Sequence, residues 1–290
     1  MKQIAFLCSE VTITGSPNRR SDAFEHDRTV AALRPEFEKL NLRLTEVSWD
    51  DATANWDQFD AVVIGTTWDY WDRSGLFLET LDQIQSKTCL WNSASLVRWN
   101  SNKSYLKQFA GSDIGLIPTV WIDSPNQISV EQSFTSLACE EIVLKRQVGA
   151  GAEGQYRLRV GDPIPSLTHP MMAQPYLPSI ETEGELSLIF IDGQFSHGVV
   201  KHAAAGDYRI QSSYGGTEEA INPTEADKSA AAKVIESLEE TPLYARVDML
   251  RDDSGELYLM ELELIEPYLY PIEGPDLGRL MAEALVRRLA

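Results

Sequence analysis

Apolar runs separated by polar, helix-spaced stretches open the chain. Lys2 to Cys8 reads as a buried first strand, and Leu42 to Val47 and Ala61 to Gly65 as two further short ones. Between the first two, Ser21 is placed to N-cap a helix with apolar positions at Ala23, Phe24, Val30, Leu33 and Phe37, and Pro35 is expected to kink or split it. Leu76 to Ile84 again carries helical spacing. Strands alternating with helices predict a parallel α/β sheet over residues 1–95, with ligands beyond the carboxyl ends of the strands. That directs attention to Cys8-Ser9-Glu10 and to Gly65-Thr-Thr-Trp-Asp-Tyr-Trp-Asp-Arg73. In the second run Asp69 and Tyr70 are the expected substrate contacts, and Trp68 and Trp71 read as aromatics packed over the sheet.

Near the C-terminus, two apolar runs from Tyr244 to Leu264 flank the turn-forming Asp252-Asp-Ser-Gly255, the signature of a β-hairpin. Side chains alternate faces along a strand, so Glu261 and Glu263 should share a face about 6.5 Å apart, with Met260, Leu262 and Leu264 on the other. An even-numbered turn adds Asp248 and Arg246 to the acidic face. Three carboxylates beside one guanidinium should raise one another's pKa unless a cation sits among them, and an all-oxygen cluster suits Mg²⁺. A solvated acidic face on an edge hairpin would carry the same pattern.

Glu141-Ile-Val-Leu-Lys-Arg-Gln-Val-Gly-Ala-Gly-Ala-Glu-Gly154 contains G-x-G-x-x-G after a strand, but Gln155 to Val160 alternates like another strand rather than opening a helix, so a dinucleotide fingerprint is excluded. The Lys of a P-loop is missing as well, since Gln155 stands in its place. A glycine-rich loop between strands, here with Gly149 and Gly151, lets backbone approach phosphates closely. Lys145 lies inside an otherwise apolar strand and needs an anionic partner, either a nucleotide phosphate or a neighbouring Glu.

Composition narrows the field. The 290 residues are 43% hydrophobic, enough for two or three small domains with substantial cores. A formal charge of −19 argues against broad electrostatic binding of nucleic acid or an anionic membrane. Cys8, Cys89 and Cys139 form neither a disulfide framework nor a zinc spacing, the four histidines are scattered, and the opening apolar run is too short for a secretory signal, so a cytoplasmic location is expected.

Arg246-Val-Asp248, then Glu261-Leu-Glu263 and Glu266-Pro267, resembles the metal-binding end of the ATP-grasp ligases, in their glutathione synthetase-like branch, and the partners of that motif stand upstream in order. The resemblance implies an ATP-grasp fold of mixed α/β and α+β class: an N-terminal parallel α/β substrate domain over 1–95, a small subdomain over 96–174 and a C-terminal subdomain with the metal site over 175–290, the last two clasping ATP. It implies ATP and Mg²⁺ as cofactors, with two ions, a role Mn²⁺ can also fill, held by Asp248, Glu261 and Glu263. Lys103, in a helix running from Trp99 to about Gly111, and Lys145 would hold phosphates beside the glycine loop. Gln174, Pro175, Tyr176 and Leu177 would form the adenine linker, the purine lying against Met172, Tyr176 and Leu177. Glu185, with Glu181 as its competitor, would accept from the ribose. Lys201, on the strand from Phe195 to His202, and Arg209, within the basic loop-and-strand of residues 206–216, would join Arg246 around the γ-phosphate and acyl group.

The implied activity is ATP-dependent ligation of a small amino-acid-like carboxylate to an amine, or its cyclisation, through an acyl phosphate. A phosphotransferase or a non-catalytic Mg-ATP-binding regulator are the alternatives. Partners would be small carboxylate and amine substrates, and the sequence leaves monomer and homodimer open.

Overall fold

The computed structural model describes all residues except 150, 205, 211–213 and 253. Among the described residues three sheets are present. The first is parallel, in the order β2(Leu42–Ser48)–β1(Lys2–Cys8)–β3(Ala61–Ile64)–β4(Cys89–Trp91). Its central strands β1 and β3 are buried and nearly continuously apolar, as the middle of a sheet covered on both faces requires. Helices α1(Phe24–Lys39) and α2(Ser74–Gln85) supply that cover. α1 begins after Ser21, at Ala23, with no side-chain cap, and Asp22 is instead engaged by Arg20. It also runs unbroken through Pro35, because Leu33 and Phe37 on either side of the proline are buried and tertiary packing outweighs the lost hydrogen bond.

The expected helix from Trp99 to Gly111 is two pieces. α3(Ala94–Asn100) ends early, and a 3₁₀ segment, Lys103–Phe109, restarts behind Asn102, whose side chain accepts from the Ser104 N–H. The second sheet is antiparallel, ordered β5(Val120–Ile122)–β8(Met171–Pro175)–β6(Glu141–Arg146)–β7(Tyr156–Arg159), backed by α4(Gln127–Leu137). The third is also antiparallel, ordered β11(Thr217–Ile221)–β10(Gln194–His202)–β9(Glu185–Ile191)–β12(Tyr244–Arg251)–β13(Leu257–Glu263). The short α5(Ser179–Thr182) links the two. α6(Glu225–Glu236) starts at the predicted Thr224, which forms a capping box with Asp227.

α7(Leu277–Arg288) returns to pack on α1, so the end of the chain joins the first domain's core. The contact is close enough that a Cβ at Gly278 would lie 2.1 Å from the Ala32 carbonyl oxygen. Arg287 and Arg288 also pair with Asp192 at the β9–β10 turn, at 2.9 Å each, tying the first and third sheets together. Among the described residues no helix is long and apolar enough to cross a membrane.

Candidate active site

The acidic hairpin sits at the seam of two cavities. In the register of β12 and β13, Arg246 faces Glu263 and Asp248 faces Glu261. The route to that register differs from the predicted even turn. Arg251 pairs with Leu257, leaving five residues in the turn, which alone would put Asp248 on the wrong face. A β-bulge at Met260 adds one residue to β13 and restores the alignment. Met260 was expected to point away with Leu262; the bulge turns it into both cavities beside Glu261 and Glu263, while Leu259 and Leu262 are buried in the core.

Asp248, Glu185, Glu261 and Glu263 are each met by a cation. Arg246 donates from Nε to Asp248 Oδ1 (3.0 Å) and from Nη2 to Asp248 Oδ2 (3.0 Å), and pairs with Glu263. Lys201 lies 3.2 Å from Asp248 and pairs with Glu185. Lys103 lies 2.9 Å from Glu261 and donates to Gly149 O at 2.6 Å. Burial would raise the Asp248 carboxyl, but Arg246 and Lys201 outweigh it and hold it at about 2. For Glu263 burial, reinforced by Asp248 and Glu261, outweighs Arg246 and pushes the carboxyl up to about 7. Burial and then Glu263 push Glu266 up to about 8.

Among the described residues no three His, Cys, Asp or Glu side chains are grouped so as to hold a metal ion by themselves. Mg²⁺ does not need such a group, since it is held through one or two carboxylates, waters and substrate phosphates. The donor chemistry fits: Glu261 and Glu263 are hard oxygen donors, each with one ion pair and open to both cavities. Asp248 is the least available, with Oδ1 shared by Ser187, Lys201 and Arg246. The raised carboxyls give a pH signature. Glu263 and Glu266 bind more protons folded than unfolded between the ordinary carboxylate pKa of 4.5 and their folded values, so metal-free stability should fall as pH rises from about 5 to 8 and level off above that. Thermal melts over that window check it, and added Mg²⁺ should flatten the fall.

On one side of the seam, the first cavity lies between the second and third sheets. Lys145 lines it and makes no ion pair or hydrogen bond within the described residues, so the neighbouring-Glu explanation for this lysine falls away. Burial pulls its pKa down, with Glu261 opposing. The glycine loop joins antiparallel β6 and β7, and Gly151 (φ 63°) leaves bare backbone facing both cavities. Gln174, Pro175, Tyr176 and Leu177 line this cavity, as does Glu185. Glu181 does not, being hydrogen-bonded to Tyr176 and paired with Arg157. Met172, expected against the purine, is buried in the core, and Ile117, Val143 and Leu250 supply apolar wall instead. Arg209 lines this cavity away from Asp248, its guanidinium paired with Asp207 at 2.7 Å and stacked on Tyr214. Residues 211–213 of the expected basic loop-and-strand lie outside the described residues.

On the other side, the second cavity reverses the reading of the aromatic run. Asp69 accepts from Trp49 Nε1 (2.7 Å) and pairs with Arg73 (2.8 Å), while Tyr70 packs against Phe77, ring centroids 4.6 Å apart. Neither lines the cavity; Trp68 and Trp71 do. The 3₁₀ turn Tyr70–Arg73 takes Asp69 to Trp49 and Arg73 and buries the Tyr70 ring on Phe77, with the Tyr70 hydroxyl reaching Glu266 behind the cavity wall, and leaves the indoles on the cleft. Arg20 was missed. It lies over both indoles (5.5 and 5.9 Å), is held by Asp22, and donates to Trp68 O at 2.7 Å. It belongs to the loop beyond the carboxyl end of β1, where the α/β rule already pointed.

Residues 4–92 match the family model for the N-terminal domain of the D-cycloserine synthetase DcsG, and residues 127–267 that for the ATP-grasp domain of prokaryotic glutathione synthetase. The chain is 28% identical to the cycloserine biosynthesis protein DcsG of Streptomyces lavendulae over 264 residues, 83% of this chain and 87% of that one. It is 30% identical to the glutathione synthetase of Pseudomonas putida over 164 residues, half of that protein's length. The crystal structure of D-cycloserine synthetase DcsG superposes with a TM-score of 0.84 at 23% identity, covering 99% of this chain and all of that one. The D-alanine–D-alanine ligase of Bacillus anthracis superposes at 0.67 and 14% identity, covering 100% of this chain and 97% of that one. With its acid-bearing hairpin, its glycine loop between antiparallel strands and matches along nearly its whole length, the chain belongs to the ATP-grasp superfamily and is an ATP-dependent ligase.

Proposed function

We propose that the protein activates a small amino-acid-like carboxylate with ATP as an acyl phosphate and joins it to an amine, in a second substrate or in the same molecule. One observation carries the reading: Glu261 and Glu263 line both cavities, so a nucleotide in the first and a carboxylate in the second would meet over the same acids. The adenine lies along Gln174 to Leu177 and the ribose reaches Glu185. Lys145, Lys103 and the glycine loop take the phosphates, and Arg209 joins them from the far wall. Glu261 and Glu263, with Asp248 as the third acid, hold Mg²⁺, two ions in this reading, with Mn²⁺ able to substitute; the metal supplies neutralisation of the phosphate charge.

The substrate carboxylate oxygen attacks the γ-phosphorus as the bond to the ADP oxygen breaks. The amine nitrogen then attacks the acyl carbon, and inorganic phosphate leaves with the acyl C–O electron pair. Arg246 and Lys201 orient the acyl group and stabilise the oxyanion that develops on it, and positioning and charge are most of what such a transfer needs. In the second cavity carboxylates such as Asp22, Glu218 and Glu266 outnumber the cations, and Trp68 and Trp71 add aromatic faces. That balance favours a substrate carrying an ammonium group.

Hydroxylamine trapping tests the chemistry. Incubated with Mg-ATP, hydroxylamine and amino acids one at a time, the enzyme should yield a hydroxamate together with ADP. ADP with a stable phosphorylated product and no hydroxamate would instead indicate a phosphotransferase.

A further inference from the structure

β13 is the outermost strand of its sheet, yet its outward backbone groups at Leu259 and Leu262, and those of Leu264 just beyond it, find partners outside the sheet. The Leu259 N–H donates to Gly115 O at 2.8 Å. The Leu262 N–H donates to Tyr105 Oη (2.7 Å), which in turn donates to Leu262 O (3.0 Å), and Asn100 Nδ2 donates to the same carbonyl at 2.8 Å. The Leu264 N–H donates to Asn100 Oδ1 (3.0 Å), and Leu264 O accepts from Asn92 Nδ2 (2.8 Å). Asn92 then reaches β12, accepting from the Leu243 N–H at 2.7 Å and donating to Tyr244 O at 3.0 Å. The connector between the first domain and the second sheet thus replaces a sixth strand with side chains. These contacts alternate with Glu261 and Glu263, whose partners Asp248 and Arg246 lie on the inner edge.

An edge strand with exposed N–H and C=O groups frays easily, and this one carries two acids that repel each other. The same connector carries Lys103, two residues before Tyr105, so one rigid segment fixes both the edge of the acidic strand and the lysine that pairs with Glu261. Asn100 is 7% exposed and Tyr105 4%, and neither lines either cavity, so any effect of theirs on the reaction passes through β13.

We propose that Asn100 and Tyr105 are positioning residues for the metal-binding carboxylates, holding β13 by its outer edge so that Glu261 and Glu263 stay at the seam. The inference rests on reading those acids as the Mg²⁺ site. Partners that orient ligands typically account for about ten- to a hundredfold in metal affinity.

The test uses full-length protein and calorimetric binding of a non-hydrolysable ATP analogue titrated against Mg²⁺. Tyr105→Phe keeps the ring packing against Trp99 (centroids 5.0 Å apart) and removes only the hydroxyl. It should raise the half-saturating Mg²⁺ concentration about tenfold. The affinity for ADP without metal should stay close to wild type, while the melting temperature falls by a few degrees because the buried Leu262 N–H loses its acceptor. Asn100→Ala should act in the same direction, and the double variant should be less than additive because both side chains meet Leu262 O. An unchanged Mg²⁺ dependence in both variants overturns the inference, and so does an equal loss of metal-free ADP affinity, which would place the effect on Lys103 or on the fold. Analogue binding by wild type that does not respond to Mg²⁺ would overturn the metal reading itself, a result distinguishable because it needs no variant.

Discussion

Glu263→Gln should lower ATP-dependent ADP release by about two orders of magnitude while leaving the fold as stable as wild type or more so. The two effects have one cause. Glu263 is a carboxylate placed where a carboxylate is costly: burial, then Asp248 and Glu261, push it up to about 7 against the pull of Arg246. Glutamine resembles the protonated form in shape and keeps an oxygen for Arg246 Nη2, while Arg246 retains its bonds to Asp248 at 3.0 and 3.1 Å. The charge the variant loses is the one proposed to face the metal. Stability should therefore differ with pH: near pH 4 the wild-type side chain is protonated both folded and unfolded and the two proteins should melt together, whereas the gap opens as pH rises toward 7 and at pH 8 the variant should melt higher. A coupled ADP assay and melts at both pH values check this. Full activity in the variant would remove Glu263 from the metal site, and a lower melting temperature at pH 8 would show the ion pair with Arg246 to be worth more than the repulsion.

How far the sequence led can be judged at individual residues. The strand–glycine loop–strand order was legible because Gln155 to Val160 alternates with period two, and β6 and β7 pair as expected. Lys145 was legible because a lysine in an apolar strand has few explanations. The convergence of Asp248, Glu261 and Glu263 was also anticipated, but by a different path: a five-residue turn and the bulge at Met260 each shift register by one, and their effects cancel. Nothing in the composition of Tyr258 to Leu262 marks a bulge. The exchange of Asp69 and Tyr70 for Trp68 and Trp71 has a similar origin. Residue type favoured the polar pair as ligand contacts, whereas the direction of each side chain is set by a 3₁₀ turn whose start depends on packing beneath it. Long-range partners were the least legible. The return of α7 onto α1 depends on Gly278 and Ala32, which no local pattern connects.

Lys145→Met should weaken binding of an ATP analogue by about ten- to a hundredfold, the equivalent of one charge-assisted hydrogen bond of about 1.5–3 kcal/mol. It should also raise the melting temperature of the nucleotide-free protein by a few degrees. Lys145 is half-buried in the first cavity with no ion pair among the described residues, and burial already pulls its pKa below the usual lysine range. Methionine fills a similar apolar volume with no charge to desolvate, so the empty fold gains what the nucleotide complex loses. Lys103 makes the contrast that gives the result its meaning. It has Glu261 at 2.9 Å and Gly149 O at 2.6 Å, so Lys103→Met leaves a carboxylate without its partner and should lower the melting temperature while also weakening the analogue. Adenosine, which has no phosphates, should bind Lys145→Met as it binds wild type. If adenosine weakens in parallel with the analogue, Lys145 acts on the shape of the cavity; if neither weakens, the triphosphate lies elsewhere and the assignment of the first cavity to ATP falls with it.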